Sequence, residues 1–129
     1  MKTQYVIALS AAAGIVVGAA AVQTLHAQAK APGYIVAEID VSNVDGYTKE
    51  FLSKAGPALD AAGAKFLARG GKNEAIDGPP PSKRVIISQF ESLEKAVAAY
   101  KSPAYLEARK IGDKYAKFRI FAVEGVAPK

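Results

Sequence analysis

The 129-residue chain has no cysteine and no tryptophan, and its single methionine and single histidine both fall in the first thirty positions, as Met1 and His26. From Lys30 onward no imidazole, thiol or thioether remains. That excludes from this part a Ser-His-Asp triad, a cysteine nucleophile, a histidine-built zinc site and the usual axial haem ligands. Disulfides and a lipid-anchoring cysteine are excluded as well, so the domain has to rest on its apolar core.

Charge is absent from the long apolar run between Tyr5 and Val22, which follows Lys2 and precedes the small-residue site Ala27-Gln28-Ala29. That order predicts a secretory signal peptide over 1–29, cut after Ala29, where alanine fills both recognition positions. Cleavage after Ala27 would leave bulky Leu25 in the outer position. An uncleaved anchor is the alternative, because the run approaches the roughly 20 residues that span a bilayer. Gly14, Gly18 and the Ala-Gln-Ala site favour cleavage, and with it a periplasmic or secreted protein that meets the membrane only through its leader. No twin arginine precedes the run, so the general export route is expected and no cofactor is loaded beforehand. Residues 30–129 then form one domain of roughly a hundred residues, large enough to bury a core.

The formal net charge is +5, and Lys2 of the leader supplies one of those charges. The rest is spread along the chain. Its one dense stretch, Arg109, Lys110, Lys114, Lys117 and Arg119, reads as a solvated helix face and its exit loop, so no nucleic-acid partner is expected.

After the breaker Ala31-Pro32-Gly33, alternation predicts a strand over Tyr34–Val41. Ile35, Ala37, Ile39 and Val41 share one face, and Tyr34, Val36, Glu38 and Asp40 the other. Asn43 or Asp45 caps a helix carrying Tyr47, Phe51, Leu52 and Ala55, with an interruption expected at Gly56-Pro57 and a last turn from Leu59 to Ala62. A second strand covers Lys65–Arg69, and Gly70-Gly71 is expected to bulge and lead it on toward Glu74–Ile76. Gly78 and Pro79–Pro81 make an exposed loop. Arg84–Phe90 reads as a third, central strand. Ser92 starts a helix with Leu93, Ala96, Val97 and Tyr100 inward, and Ser102-Pro103 restarts it with Tyr105, Leu106 and Ile111 inward. Phe118–Glu124 is the last strand.

This βαββαβ order predicts an α+β, ferredoxin-like fold, a four-stranded antiparallel sheet with both helices on one face. The other face carries Tyr34, Val36 and Glu38, together with Leu67 and Arg69, and nothing in the chain covers it. A second copy meeting it across a twofold axis would bury it, so a homodimer is expected.

Tyr34, Asp45-Gly46-Tyr47, Phe66-Leu67-Ala68-Arg69-Gly70-Gly71, Arg84, Phe90-Glu91-Ser92, Tyr100-Lys101-Ser102-Pro103-Ala104-Tyr105 and Arg109 together resemble the bacterial domain of unknown function family number 1330, here an exported member. The resemblance runs through nearly all of residues 30–129. It implies the dimeric α/β-barrel superfamily, which includes cofactor-free oxygenases and isomerases, and it carries no activity of its own.

Arg69 and Arg84 stand at strand edges beside glycine- or proline-rich loops, where a guanidinium can clamp a carboxylate in a fork. The preferred alternative pairs them with Glu38, Glu74 or Asp77. Glu38 on the uncovered face needs a basic partner, or else its pKa rises and it becomes the candidate catalytic acid or base. Tyr47, Tyr100 and Tyr105 pack at helix faces and, with Tyr34, are candidates to line a ligand pocket. Gly70-Gly71 lacks the helix and Lys-Ser/Thr of a phosphate loop, no calcium-loop spacing occurs, and neither metal nor cofactor is expected.

Two functions remain open. One is a small-ligand-binding domain for an apolar or aromatic acid, with cofactor-free weak catalysis. The other is a non-catalytic interaction module whose open face serves dimerisation alone. A cavity of a few hundred cubic ångströms with converging polar groups marks the first, and a packed interior the second.

Overall fold

Strict alternation of β-branched and small residues builds β1 over Gly33–Val41, with Ile35, Ala37 and Ile39 buried and Tyr34, Val36 and Glu38 turned away from them. The computed structural model describes residues 31–129; the expected leader over 1–29, with its expected cleavage site, and Lys30 lie outside the described residues. β2 is Lys65–Arg69, β3 is Arg84–Phe90 and β4 is Ala116–Glu124. They form one four-stranded antiparallel sheet in the order β2-β3-β1-β4, with the apolar β1 and β3 in the centre. Helical segments cover one face only, which completes the ferredoxin-like fold.

The first helical segment departs from the expected pattern. Asn43 caps α1 (Val44–Gly46) by accepting from the Gly46 N–H at 2.9 Å. A π-helical stretch, Tyr47–Leu52, then leads into α2 (Ser53–Ala61), and α2 runs straight through Gly56-Pro57 instead of breaking there. Proline lacks an N–H and its ring crowds the carbonyl one turn back, and the wide π turn directly upstream relieves that crowding. The Ser53 hydroxyl donates to the Lys49 carbonyl at 2.6 Å in the same stretch. The π geometry keeps Tyr47, Phe51, Ala55 and Leu59 all buried on the sheet side.

α3 spans Leu93–Tyr100 and α4 spans Pro103–Gly112. Ser92 and Ser102 cap them, accepting from the Lys95 and Tyr105 N–H groups, and Pro103 occupies the first turn of α4 as expected. The inward residues of α4 are Tyr105, Ala108 and Gly112, whereas Leu106 is 47 % exposed. The reason is close approach. A Cβ on Gly112 would stand 2.6 Å from the Phe51 ring, so the small residues, not Leu106, let α4 settle on the aromatic core.

The bulge in β2 is also displaced from its expected position. Phe66 pairs with Ser88 and Ala68 with Ile87, leaving Leu67 as the extra residue. Gly70 instead takes a left-handed φ of +68° and donates its N–H to Val85 O, closing the strand, and residues 71–76 form no further strand. Ile76 is fully exposed.

Candidate functional site

Register decides where the candidate residues point. Arg84 pairs with Ile39 and Ile86 with Ala37, so Arg84 shares the helix-covered face with the core. Arg69 pairs with Ile86 and therefore faces the same way. Without the bulge at Leu67, Arg69 would stand on the uncovered face, where simple alternation puts it; the extra residue reverses the parity of everything after it.

Both arginines line a cavity of about 150 Å³ between the sheet and the π-helical stretch, α2, α3 and α4. Its walls are mostly apolar, including Phe51, Leu59, Phe66, Ile86 and Ile120, with Asp60 at the α2 side. Tyr47, Tyr100 and Tyr105 line it too. Five of the candidate residues thus meet in one place. The cavity is smaller than a few hundred cubic ångströms, yet polar groups converge on it.

Arg84 Nε donates to the Tyr47 hydroxyl at 3.1 Å, and the guanidinium lies against Gly70, where a Cβ would come within 2.4 Å of Nη1. The Arg69 guanidinium stacks on the Phe66 ring, 3.7 Å from its centroid. Among the described residues no carboxylate lies within ion-pair distance of either arginine. The expected partners Glu38, Glu74 and Asp77 do not serve them.

The tyrosines form a connected group. Tyr100 and Tyr105 meet edge to face at 4.6 Å, Tyr105 packs on Phe51 at 6.4 Å, and Phe51 packs on Tyr47 at 5.2 Å. Burial pushes all three phenol pKa values up; Arg84 opposes the rise at Tyr47, and Arg109 opposes it at Tyr105. They remain protonated donors throughout the neutral range. Ser88 Oγ, buried beside Tyr100, has no hydrogen-bond partner among the described residues; the two hydroxyls influence one another without the geometry of a hydrogen bond.

Two candidates lie elsewhere. Tyr34 pairs with Gln89 and Val123 on the helix-free face and takes no part in the cavity. Glu38, also on that face, pairs in register with Arg119, its Oε2 2.5 Å from Nη1, and accepts from the Ser82 N–H at 3.1 Å. The Ser82 amide, followed by Arg119, holds its carboxyl below the usual carboxylate range. Glu38 is therefore an ionised anchor for the 71–83 loop, not an acid with a raised pKa. Because its folded pKa is depressed, its contribution to stability is complete above the unfolded value of 4.5 and is lost as pH falls through the folded value. Glu38→Gln is accordingly expected to flatten the acid limb of the stability curve below pH 4.5 while changing the shape above it little. Denaturant titrations at a series of pH values check this, and an unchanged acid limb would refute the pairing.

Two residues of the basic stretch, Arg109 and Lys110, are paired locally. Arg109 pairs with Asp113 at 3.0 Å and stacks on Phe118, and Lys110 pairs with Glu107 at 3.1 Å. Sequence reasoning missed Ser88 and Phe66. Ser88 was detectable as the one uncharged polar residue at an inward position of β3, between Ile86 and Phe90. Alternation puts Phe66 inward as well, but its stacking with Arg69 was not detectable, because that contact depends on the bulge.

With this geometry in place, comparison with known proteins bears on the fold. No curated protein sequence matches the chain. Its structure is similar to that of RPA0582, a protein of unknown function from Rhodopseudomonas palustris, with a TM-score of 0.58 and 18 % identity over 77 % of this chain and 85 % of that one. It is also similar to SnoaB, a cofactor-independent oxygenase from Streptomyces nogalater, with a TM-score of 0.53 and 9 % identity over 74 % of this chain and 94 % of that one. At such identities the likeness concerns the fold alone. The family model of a domain of unknown function, DUF1330, matches residues 32–126, and the chain belongs to that family.

Proposed function

We propose that this protein is an exported domain that binds a small apolar or aromatic carboxylate in the cavity between its sheet and helices. One observation carries the reading: two guanidinium groups without carboxylate partners among the described residues, at a cavity whose other walls are mainly apolar. Arg84 is half-buried, where a cation is costly unless an anion meets it, and a ligand carboxylate supplies that anion, with the exposed Arg69 guanidinium also at the cavity. Asp60 tempers the local charge, and two arginines outweigh it. The 150 Å³ is the size of an engineered cavity that takes benzene, so one ring fills it. The candidate proton carrier Glu38 lies on the opposite face, and the reading is therefore binding rather than turnover. The export signal, cut after Ala29, belongs to the same proposal; the intact mass of the exported product checks it.

Titration of the purified protein with short aliphatic and single-ring carboxylates, followed by thermal shift and calorimetry, tests the proposal. Ligand at 100 times its Kd should add about 2.7 kcal/mol of stability. Absence of any shift across the series up to millimolar concentration defeats it. The fold similarity to a cofactor-independent oxygenase is the reason to follow oxygen consumption in the same titrations.

The helix-free face supports a second, compatible proposal, that two copies pair through it. Val36 stands between Ile87 and Phe121 in register, and Phe121 and Val123 are 43 % and 48 % exposed. Apolar sheet surface of this kind calls for cover. Ile87→Asp, at the centre of that patch, is expected to convert a dimer to a folded monomer in light scattering, with the circular-dichroism spectrum retained. A wild-type mass of one chain at micromolar concentration overturns the idea.

A further inference from the structure

The contact between Arg84 and Tyr47 fixes which of their protons remain free. A guanidinium only donates, so in the 3.1 Å contact between Arg84 Nε and the Tyr47 hydroxyl the phenol oxygen is the acceptor. Its own proton is left over. Tyr47 is 2 % exposed, its ring packs on Phe51 and Phe118, and among the described residues no group accepts that proton. Both residues line the cavity, which is the space left for an acceptor. Burial keeps the phenol protonated throughout the neutral range.

The guanidinium is turned to match. Its Nε and Nη2 project two parallel N–H bonds from one edge, and Tyr47 fills only the first of them. Nη1 is on the other side, against Gly70, where a Cβ would stand 2.4 Å from it. An oxygen accepting from Nη2 therefore lies beside the Tyr47 oxygen, at about the 2.7 Å over which a hydroxyl donates. One atom can take both bonds, the first from a cation and the second from a neutral donor. Their complement is an oxygen that carries negative charge and no hydrogen.

We infer that Tyr47 is itself a ligand donor: the ligand's carboxylate sits where Arg84, Tyr47 and Gly70 meet, one of its oxygens accepting both from Arg84 Nη2 and from the Tyr47 hydroxyl. This rests on the proposed carboxylate-binding function and adds to it the seat of the charged group and a second residue that holds it. Tyr47 then does more than prop the arginine.

The test uses acetate, butyrate and cyclohexanecarboxylate, all transparent in the near ultraviolet, on the purified protein. A phenol that passes its hydrogen bond to an anion absorbs further to the red, so saturating ligand should give the wild type a red-shifted tyrosine difference band. Tyr47→Phe should lose it. Calorimetry with the tightest binder of the three should show about tenfold weaker binding in Tyr47→Phe, the equivalent of one lost hydrogen bond. The band separates donation from support, because a Tyr47 that only positions Arg84 weakens binding when truncated yet gives no band in the wild type. If Tyr47→Phe fails to fold, the band should persist at saturation in both Tyr100→Phe and Tyr105→Phe, the other tyrosines that line the cavity. The inference is overturned, with carboxylate binding intact, by a wild type without the band, by a band that survives Tyr47→Phe or is lost with either other change, or by unchanged affinity in Tyr47→Phe. No binding of any of the three acids refutes the underlying function itself.

Discussion

Under the ligand-binding proposal, Arg84→Ala is expected to weaken carboxylate binding by about 30-fold, the equivalent of about 2 kcal/mol for a lost charge-assisted fork. The sequence alone favoured a structural role for this arginine, with Glu38, Glu74 or Asp77 as partner. The structure removes those partners: Glu38 is occupied by Arg119 and the Ser82 amide, and no carboxylate reaches Arg84 among the described residues. What Arg84 holds is the Tyr47 hydroxyl, through Nε at 3.1 Å, while Gly70 leaves room for the guanidinium tip. Only one of its five N–H donors is used in that bond, and the others remain for a ligand. Loss of the Tyr47 bond should cost about 1 kcal/mol of stability, so the variant stays folded. Arg84→Lys separates charge from shape: it keeps the cation but not the planar fork and should recover only part of the affinity. Unchanged affinity in Arg84→Ala and in Arg69→Ala, with both proteins folded, would place the anion elsewhere.

The largest effect on stability is expected at Phe51. Its ring is 3 % exposed and touches Tyr47 at 5.2 Å, Phe118 at 5.2 Å and Tyr105 at 6.4 Å, while Gly112 of α4 is pressed against it. It joins the π-helical stretch, α4 and β4 in one contact. Phe51→Ala should cost about 3–5 kcal/mol, from lost transfer energy plus the void left behind. Against a total of about 5–15 kcal/mol for a domain, that is a large share. Denaturant unfolding should show a much lower midpoint at an unchanged m-value. Phe51→Leu, which keeps most of the volume, should cost clearly less. A loss under about 1 kcal/mol for the alanine variant would mean that this cluster is not the centre of the core.

Most of the fold was readable because its signals are local. Alternation in Ile35-Ala37-Ile39 marks β1, the glycine-free apolar run Arg84–Phe90 marks β3, and Ser92 and Ser102-Pro103 start two helices where hydroxyl caps and an N1 proline do so for any chain. The family resemblance rests on the same residues. Where reading failed, the cause was local geometry or close packing that periodicity does not show. A π turn carried α2 across Gly56-Pro57, and small residues turned α4 so that Leu106 faces outward.

The sequence by itself determined the element order, the sheet's two faces, the absence of histidine and cysteine chemistry after residue 30, and the tyrosines and arginines worth examining. Only the tertiary structure decided which of them meet. Arg69 reaches the cavity because Leu67 is an extra residue opposite β3, and a single inserted residue reverses every later side chain in the strand. Glu38 became an anchor because β4 places Arg119 directly opposite it and the 71–83 loop brings the Ser82 amide within reach, across 81 and 44 positions of the sequence. Pairing over such separations depends on register and loop path, which composition and periodicity do not encode.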